Sequence, residues 1–176
     1  MGRRSFALRL SAPLALVALA ACSPKTDTEA TPAPETQGVA VHPVSGLETV
    51  PLTVTTMDKA YRFSVEYAAS EEAQRQGLMF RTELGDWEGM IFPTIPPRPR
   101  SFWMKNTPLP LDIIFIGSDS RVLNIAANTV PYSLESVASM GNTIGVLELR
   151  GGRAAELGIK PGALVEWDAP QAGDPQ

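Results

Sequence analysis

Residues 61–67 alternate strictly: Tyr61, Phe63, Val65 and Tyr67 fall on one side, and Arg62, Ser64 and Glu66 on the other. Successive side chains of a strand point to opposite faces, so this pattern specifies a strand with one face buried and one wet. Short runs of the same kind recur along the chain. Leu52-Thr53-Val54-Thr55-Thr56 is rich in β-branched residues, and Gly89-Met90-Ile91-Phe92, 101–104, 144–149 and 163–168 also read as extended. Asp112-Ile113-Ile114-Phe115-Ile116 is apolar enough to be covered on both faces. Gly117-Ser118-Asp119-Ser120 predicts a hairpin turn back into 121–127, and Lys160-Pro161-Gly162-Ala163 has Pro and Gly where a type II turn takes them. Pro93, Pro96, Pro97 and Pro99 predict a stiff loop after the third strand.

Helical signals are brief. Ser70 is placed to cap a helix that carries Glu71 and Glu72 in its first turn and leaves through Gly77. A second turn or two spans 153–157 and ends at Gly158, while 132–142 reads as loop or irregular helix. The fold class expected is mainly β: a compact antiparallel β-sandwich or barrel with one or two short helices. A parallel α/β sheet would need longer crossover helices than the sequence contains.

The N-terminus has a different character. Arg3, Arg4 and Arg9 precede an apolar run over 10–21, which ends in Leu19-Ala20-Ala21-Cys22. This resembles a bacterial lipoprotein signal peptide with its lipobox. The run is shorter than the roughly 20 residues a membrane span needs, and it ends in small residues before a cysteine. The resemblance implies export, removal of 1–21, and acylation (palmitate among the chains) of Cys22. Two or more acyl chains anchor a protein stably. The expected address is therefore the cell envelope, and Ser23 favours the outer membrane facing the periplasm if the source is Gram-negative. Arg3-Arg4 serves ordinary secretion or a twin-arginine route.

Residues 22–47 are expected to form the lipidated cysteine and a disordered tether, since Thr, Pro, Ala and Glu dominate and large apolar residues are few. A single β-rich domain over 48–168 and a frayed tail over 169–176 follow. All 19 acidic residues lie after Cys22, so removal of the leader makes the chain more acidic than its formal net charge of −4. An acidic chain lacks the electrostatic footprint of nucleic-acid binding. Cys22 is the sole cysteine, so the domain has no disulfide, thiolate metal site or thiol nucleophile. No cofactor is called for. Met79, Met90, Met104 and Met140 could offer thioethers to Cu(I), but filling core gaps is the commoner use of methionine, and no metal site is expected.

Two stretches stand out chemically. Gly77-Leu78-Met79-Phe80-Arg81 follows the first helix, and Phe102-Trp103-Met104-Lys105-Asn106-Thr107 runs through Pro108 and Pro110 into the lone carboxylate of Asp112. With Gly89-Met90-Ile91-Phe92, Val146-Leu147-Glu148-Leu149 and Gly158-Ile159-Lys160-Pro161-Gly162, these blocks are similar to the bacterial and archaeal domain of unknown function 192. The resemblance covers roughly 63–167 and implies a compact β-rich fold without bringing an activity. The Pro-rich segment before Ser101 looks longer than is usual for that family.

Read physically, Asp112 needs a partner because a bare buried carboxylate is costly. Arg81 and Lys105 are the nearest cations in sequence, and a buried ion pair or a turn-capping carboxylate is the leading structural role. The functional alternative is a binding patch of Arg81, Trp103, Lys105, Asn106 and Asp112, an aromatic platform with convergent polar groups. Its ligand would be an envelope glycan, a small anion or a partner protein. The rival is an envelope hydrolase with Asp112 and Glu148 as a carboxylate pair, although Glu148 alternates with leucines and could simply face water. The only histidine, His42, lies in or near the tether, which argues against a Ser-His-acid triad. The balance leans away from an enzyme and toward a binding or scaffolding module.

Overall fold

The computed structural model describes residues 40–170. The expected signal peptide, Cys22, tether residues 23–39 and tail residues 171–176 lie outside the described residues. In chain order the elements are β1 (Thr49–Thr55), β2 (Ala60–Tyr67), α1 (Glu71–Gln76), β3 (Glu88–Arg98), β4 (Ser101–Phe102), β5 (Leu111–Gly117), β6 (Val122–Ala126), β7 (Val137–Ala138), β8 (Thr143–Arg150), α2 (Arg153–Leu157) and β9 (Leu164–Trp167).

The main sheet has seven strands in the order β6-β5-β8-β3-β2-β1-β9, and β4 pairs with β7 in a small second sheet. The sheet is not closed into a barrel. Its edge strands β6 and β9 approach through a short bridge between Arg121 and Leu164. All pairings but one are antiparallel. The exception is β2 with β3, a parallel pair whose crossover carries α1. A fully antiparallel sheet is therefore corrected to a mixed one. One parallel pair needs one crossover, and the six-residue helix α1 is enough for it.

Alternation along the strands sorts the core into two faces. Val50, Leu52, Val54, Phe63, Val65, Ile114, Ile116, Leu147 and Leu149 pack on one, closed at one end by Ala154 and Ile159 from α2 and the residues after it. Met90, Phe92, Leu111, Ile113, Phe115 and Val146 pack on the other, under Ala73 of α1, Leu78, Met104, Phe102 of β4 and Val137 of β7. The result is sandwich-like, with β5 buried along its whole length between the two. At about 25 cal/mol per Å² of apolar surface, such a core can hold the fold without cross-links.

Local chemistry explains most boundaries. The Ser70 hydroxyl accepts the Ala73 N–H at 3.1 Å, capping α1, and Gly77 ends it at φ 50°. Gly158 closes α2 at φ 68° in the left-handed region. The Pro-rich segment departs from the expected loop. β3 continues through Pro93, Pro96 and Pro97 to Arg98, with a register shift against β8 between Pro93 and Arg98. Proline fits extended backbone, and its missing donor is tolerated where a bulge interrupts the ladder. The folded part also starts earlier than residue 48. Thr49 donates to the Ala40 carbonyl at 2.7 Å, His42 donates to the Leu47 carbonyl at 2.8 Å, and Val41 bridges Glu48. Leu47 packs on the second core face.

Candidate functional site

Register sets the chemistry of the second face. Glu66 pairs with Met90, Met90 with Glu148, Glu148 with Ile113 and Ile113 with Ala126. These residues form one row across the sheet, and two of them are acids. Both are buried, Glu66 at 2% and Glu148 at 5% exposure.

The two acids are treated differently. Glu66 has a partner: one Arg81 guanidinium nitrogen lies 2.7 and 2.6 Å from its two oxygens. His42 adds its Nδ1 at 3.6 Å from Glu66 and 3.4 Å from the same guanidinium nitrogen. Glu66 belongs to the polar side of the alternation in β2, yet the turn over 41–47 and the strap leading to Arg81 cover it. Glu148 has no hydrogen-bond or ion-pair partner among the described residues, and burial lifts its carboxyl to about 8. At neutral pH it is mostly the uncharged acid.

Glu148 instead borders a cavity of about 450 Å³. Apolar Leu78 and Phe92 line its inner part, α1 supplies Gln74 and Arg75, and the strand-and-turn over 100–107 supplies Arg100, Trp103, Lys105 and Asn106. The wall is braced by polar contacts. Gln74 Nε2 donates to the carbonyls of Ala68 and Pro93 at 3.1 and 3.0 Å, tying α1 to β3. Its Oε1 accepts from Arg100 at 3.1 Å, and the Arg100 guanidinium lies 5.3 Å from the Phe102 ring centroid. Trp103 is 49% exposed, and Lys105 Nζ stands 5.3 Å from its ring centroid. Asn106 adopts the left-handed region at φ 55°, which asparagine tolerates, and its carbonyl accepts the Phe80 N–H at 2.8 Å.

Asp112 lies elsewhere. It pairs with Leu149 and therefore points to the face opposite Glu148. Its Oδ1 accepts the N–H groups of Asn128 (2.7 Å) and Gly152 (3.0 Å), and its Oδ2 accepts that of Ala154 (2.7 Å). This wholly buried carboxylate pins the chain after β6 to the start of α2. Neither Arg81 nor Lys105 pairs with it.

The five residues expected to form one patch thus separate. Trp103, Lys105 and Asn106 line the cavity; Arg81 neutralises Glu66; Asp112 holds backbone on the far side. The carboxylate pair of the rival hydrolase reading is not formed, because Asp112 and Glu148 occupy neighbouring strands but opposite faces. Gln74 and Arg100 escape sequence reading: a glutamine in a short helix and an arginine after prolines look like surface. The available signal for Glu148 is its period, since it falls in step with Val146 and out of step with Leu147 and Leu149. Among the described residues no three His, Cys, Asp or Glu side chains gather as metal ligands.

The chain's relatives share this architecture. A crystal structure at 1.22 Å of a protein of unknown function from Novosphingobium aromaticivorans is 57% identical, with a TM-score of 0.72, over 76% of this chain and 95% of that one. A second, from Sinorhizobium meliloti and described as a candidate transcription regulator, is 36% identical, with a TM-score of 0.66, over 68% of this chain and 93% of that one. No curated protein matches. Residues 52–167 fit the model of domain of unknown function 192, described as Uncharacterized ACR. That stretch contains every residue lining the Glu148 cavity, and the chain belongs to the DUF192 family.

Proposed function

We propose that this chain is a ligand-binding module held at the cell envelope by lipid on Cys22, with a small ligand seated in the cavity beside Glu148. The observation that carries the reading is the unpartnered acid. Its oxygens make no hydrogen bond within the protein yet are open to the cavity, because no side-chain nitrogen or oxygen shut off from solvent among the described residues lacks a partner. A sheet that supplies Arg81 to Glu66 but nothing to Glu148 keeps one acid available to something that enters. The volume suits a small molecule, and the mix of apolar wall, aromatic edge and a few convergent polar groups is typical of binding pockets. The lipobox pattern at 19–22 supports the envelope address.

A hydrolase with two carboxylates loses its geometric basis once Asp112 and Glu148 face apart. The description of the Sinorhizobium relative is not carried over, because a net charge of −4 disfavours a polyanion such as DNA. A thermal-shift screen of the purified chain against glycans, small anions and small amines tests the binding reading. A ligand that raises the midpoint for wild type but not for Glu148→Gln or Trp103→Ala is the expected result. If every ligand shifts the three proteins equally, or none shifts any, the cavity is not a binding site.

A further inference from the structure

We infer that the ligand is a small zwitterion, its ammonium group against the Glu148 carboxylate at the inner end of the cavity and its carboxylate toward Arg100 and Lys105. The inference rests on the reading of this cavity as the binding site. Its basis is one cavity that has an acid without a protein partner at its buried end and three cationic side chains elsewhere in its wall. Glu148 is 5% exposed, whereas Lys105 is exposed and the Arg75 side chain is 71% exposed. The acid is therefore at the closed end and Lys105 and Arg75 are at the mouth, while Arg100 is half-buried, its guanidinium 3.4 Å from the hydroxyl of the buried Thr94. No ion pair links Glu148 to Arg75, Arg100 or Lys105 among the described residues, although all four line the same space. Arg75 is occupied by Glu71 at 3.4 Å, and the Arg100 guanidinium donates only to the neutral oxygens of Gln74 and Thr94.

Each simpler ligand leaves one end unmet. A neutral hydroxyl can bond Glu148 but gives the mouth cations no counter-charge. A plain anion meets the mouth but leaves the acid held in its uncharged form. A plain cation suits Glu148 but must pass the cations on the way in. A molecule with both signs matches the field of the cavity at both ends, and complementary potential is what selects one partner among many. The aromatic edge of Trp103 and the walls of Leu78 and Phe92 suit the carbon chain between the two charges.

Glu148 must be ionised to hold an ammonium group, so binding releases its proton to solvent. The other groups facing that acid are few. Met90 on β3 and Ile113 on β5 flank it and are apolar. α1 contributes Arg75 with neutral Gln74 and Gln76, and the 100–107 segment contributes Arg100 and Lys105. Along the row, Glu66 lies beyond Met90, roughly 10 Å away at two strand spacings, with Arg81 and His42 on it. Any change at those three is common to wild type and Glu148→Gln.

Calorimetric titration of the purified chain decides the matter. The probes are glycine, β-alanine, 4-aminobutyrate and 6-aminohexanoate, each beside the alkylamine and the carboxylate of matching length. At least one amino acid should bind about tenfold more tightly than both of its half-analogues. Its affinity should rise about tenfold from pH 6 to pH 7, with release of close to one proton. Lys105→Ala, at an exposed position, should weaken binding and leave the pH slope unchanged. Glu148→Gln should abolish the slope. No amino acid exceeding its half-analogues, or an affinity that is flat or falls with pH, overturns the zwitterion. A neutral sugar bound through Glu148 with a flat pH profile overturns it too, but leaves the cavity as a binding site. Absence of any ligand in both this series and the thermal-shift screen removes both readings.

Discussion

Glu148 should make the stability of this protein fall as pH rises, and Glu148→Gln should remove that fall. Burial raises the folded-state carboxyl from the ordinary 4.5 to about 8. In the unfolded chain the group ionises near its ordinary value. Between those two values the folded protein holds a proton that the unfolded chain has given up, so each rising pH unit favours unfolding by about 1.4 kcal/mol. The full window corresponds to about 5 kcal/mol, and solvent entering the cavity lowers this toward about 3. The loss begins near pH 4.5 and is complete above pH 8. Glutamine keeps the shape and cannot ionise. Urea unfolding followed by tryptophan fluorescence, at pH values from 5 to 9, gives both free energies. Their difference, variant minus wild type, should climb by 3–5 kcal/mol across that range and then level off. Taking the difference cancels every other titrating group. A difference that does not vary with pH would show Glu148 to be solvated, and the account of a buried acid without a partner would be wrong.

Other outcomes follow from the remaining polar groups. Asp112→Ala strands the N–H groups of Asn128, Gly152 and Ala154, so urea unfolding at pH 7 should show a loss of about 3–5 kcal/mol. Arg81→Ala leaves Glu66 buried with only the His42 ring beside it, a loss of similar size. Adding Glu66→Gln should recover part of it in a double-mutant cycle. Gly89→Ala would set a Cβ 2.5 Å from the Glu148 carbonyl oxygen, and a loss of about 1–3 kcal/mol of unfolding free energy is expected in the same assay. Cys22→Ala should abolish incorporation of labelled palmitate in the producing bacterium and move the protein from the membrane to the soluble fraction.

Strand content was legible because alternation is a local signal. β2, β5 and the β5–β6 hairpin declare themselves within a few residues, as do the Ser70 cap and the Gly158 exit. The parallel pairing of β2 with β3 was not legible, since it depends on where α1 returns the chain and no residue encodes that alone. The run of prolines illustrates a different limit. Their stiffness was readable, but whether stiff backbone lies in a loop or along β8 is decided by the neighbouring strand. Asp112 needs partners because it lies in an apolar run, and those partners are backbone N–H groups, which leave no trace in side-chain identity. Glu66 and Glu148 show the same limit in reverse. Glu66 sits on the polar side of its strand's alternation and Glu148 in step with the core residue Val146, and both are buried because segments remote in sequence lie over them.

The pairing of β9 with β1 has a consequence for how the chain comes to be folded. Leu52 and Trp167 are neighbours in the sheet and lie near opposite ends of the described domain. Until Leu164–Trp167 docks, the outer side of β1 remains a row of open donors and acceptors, a template for joining another chain. Contacts between such distant segments form slowly because the loop between them must close first. A chain truncated before residue 164 would have a nearly complete core and still be prone to aggregate. Trp167, half-buried against the core when β9 is in place, is well positioned to report that last step by its fluorescence.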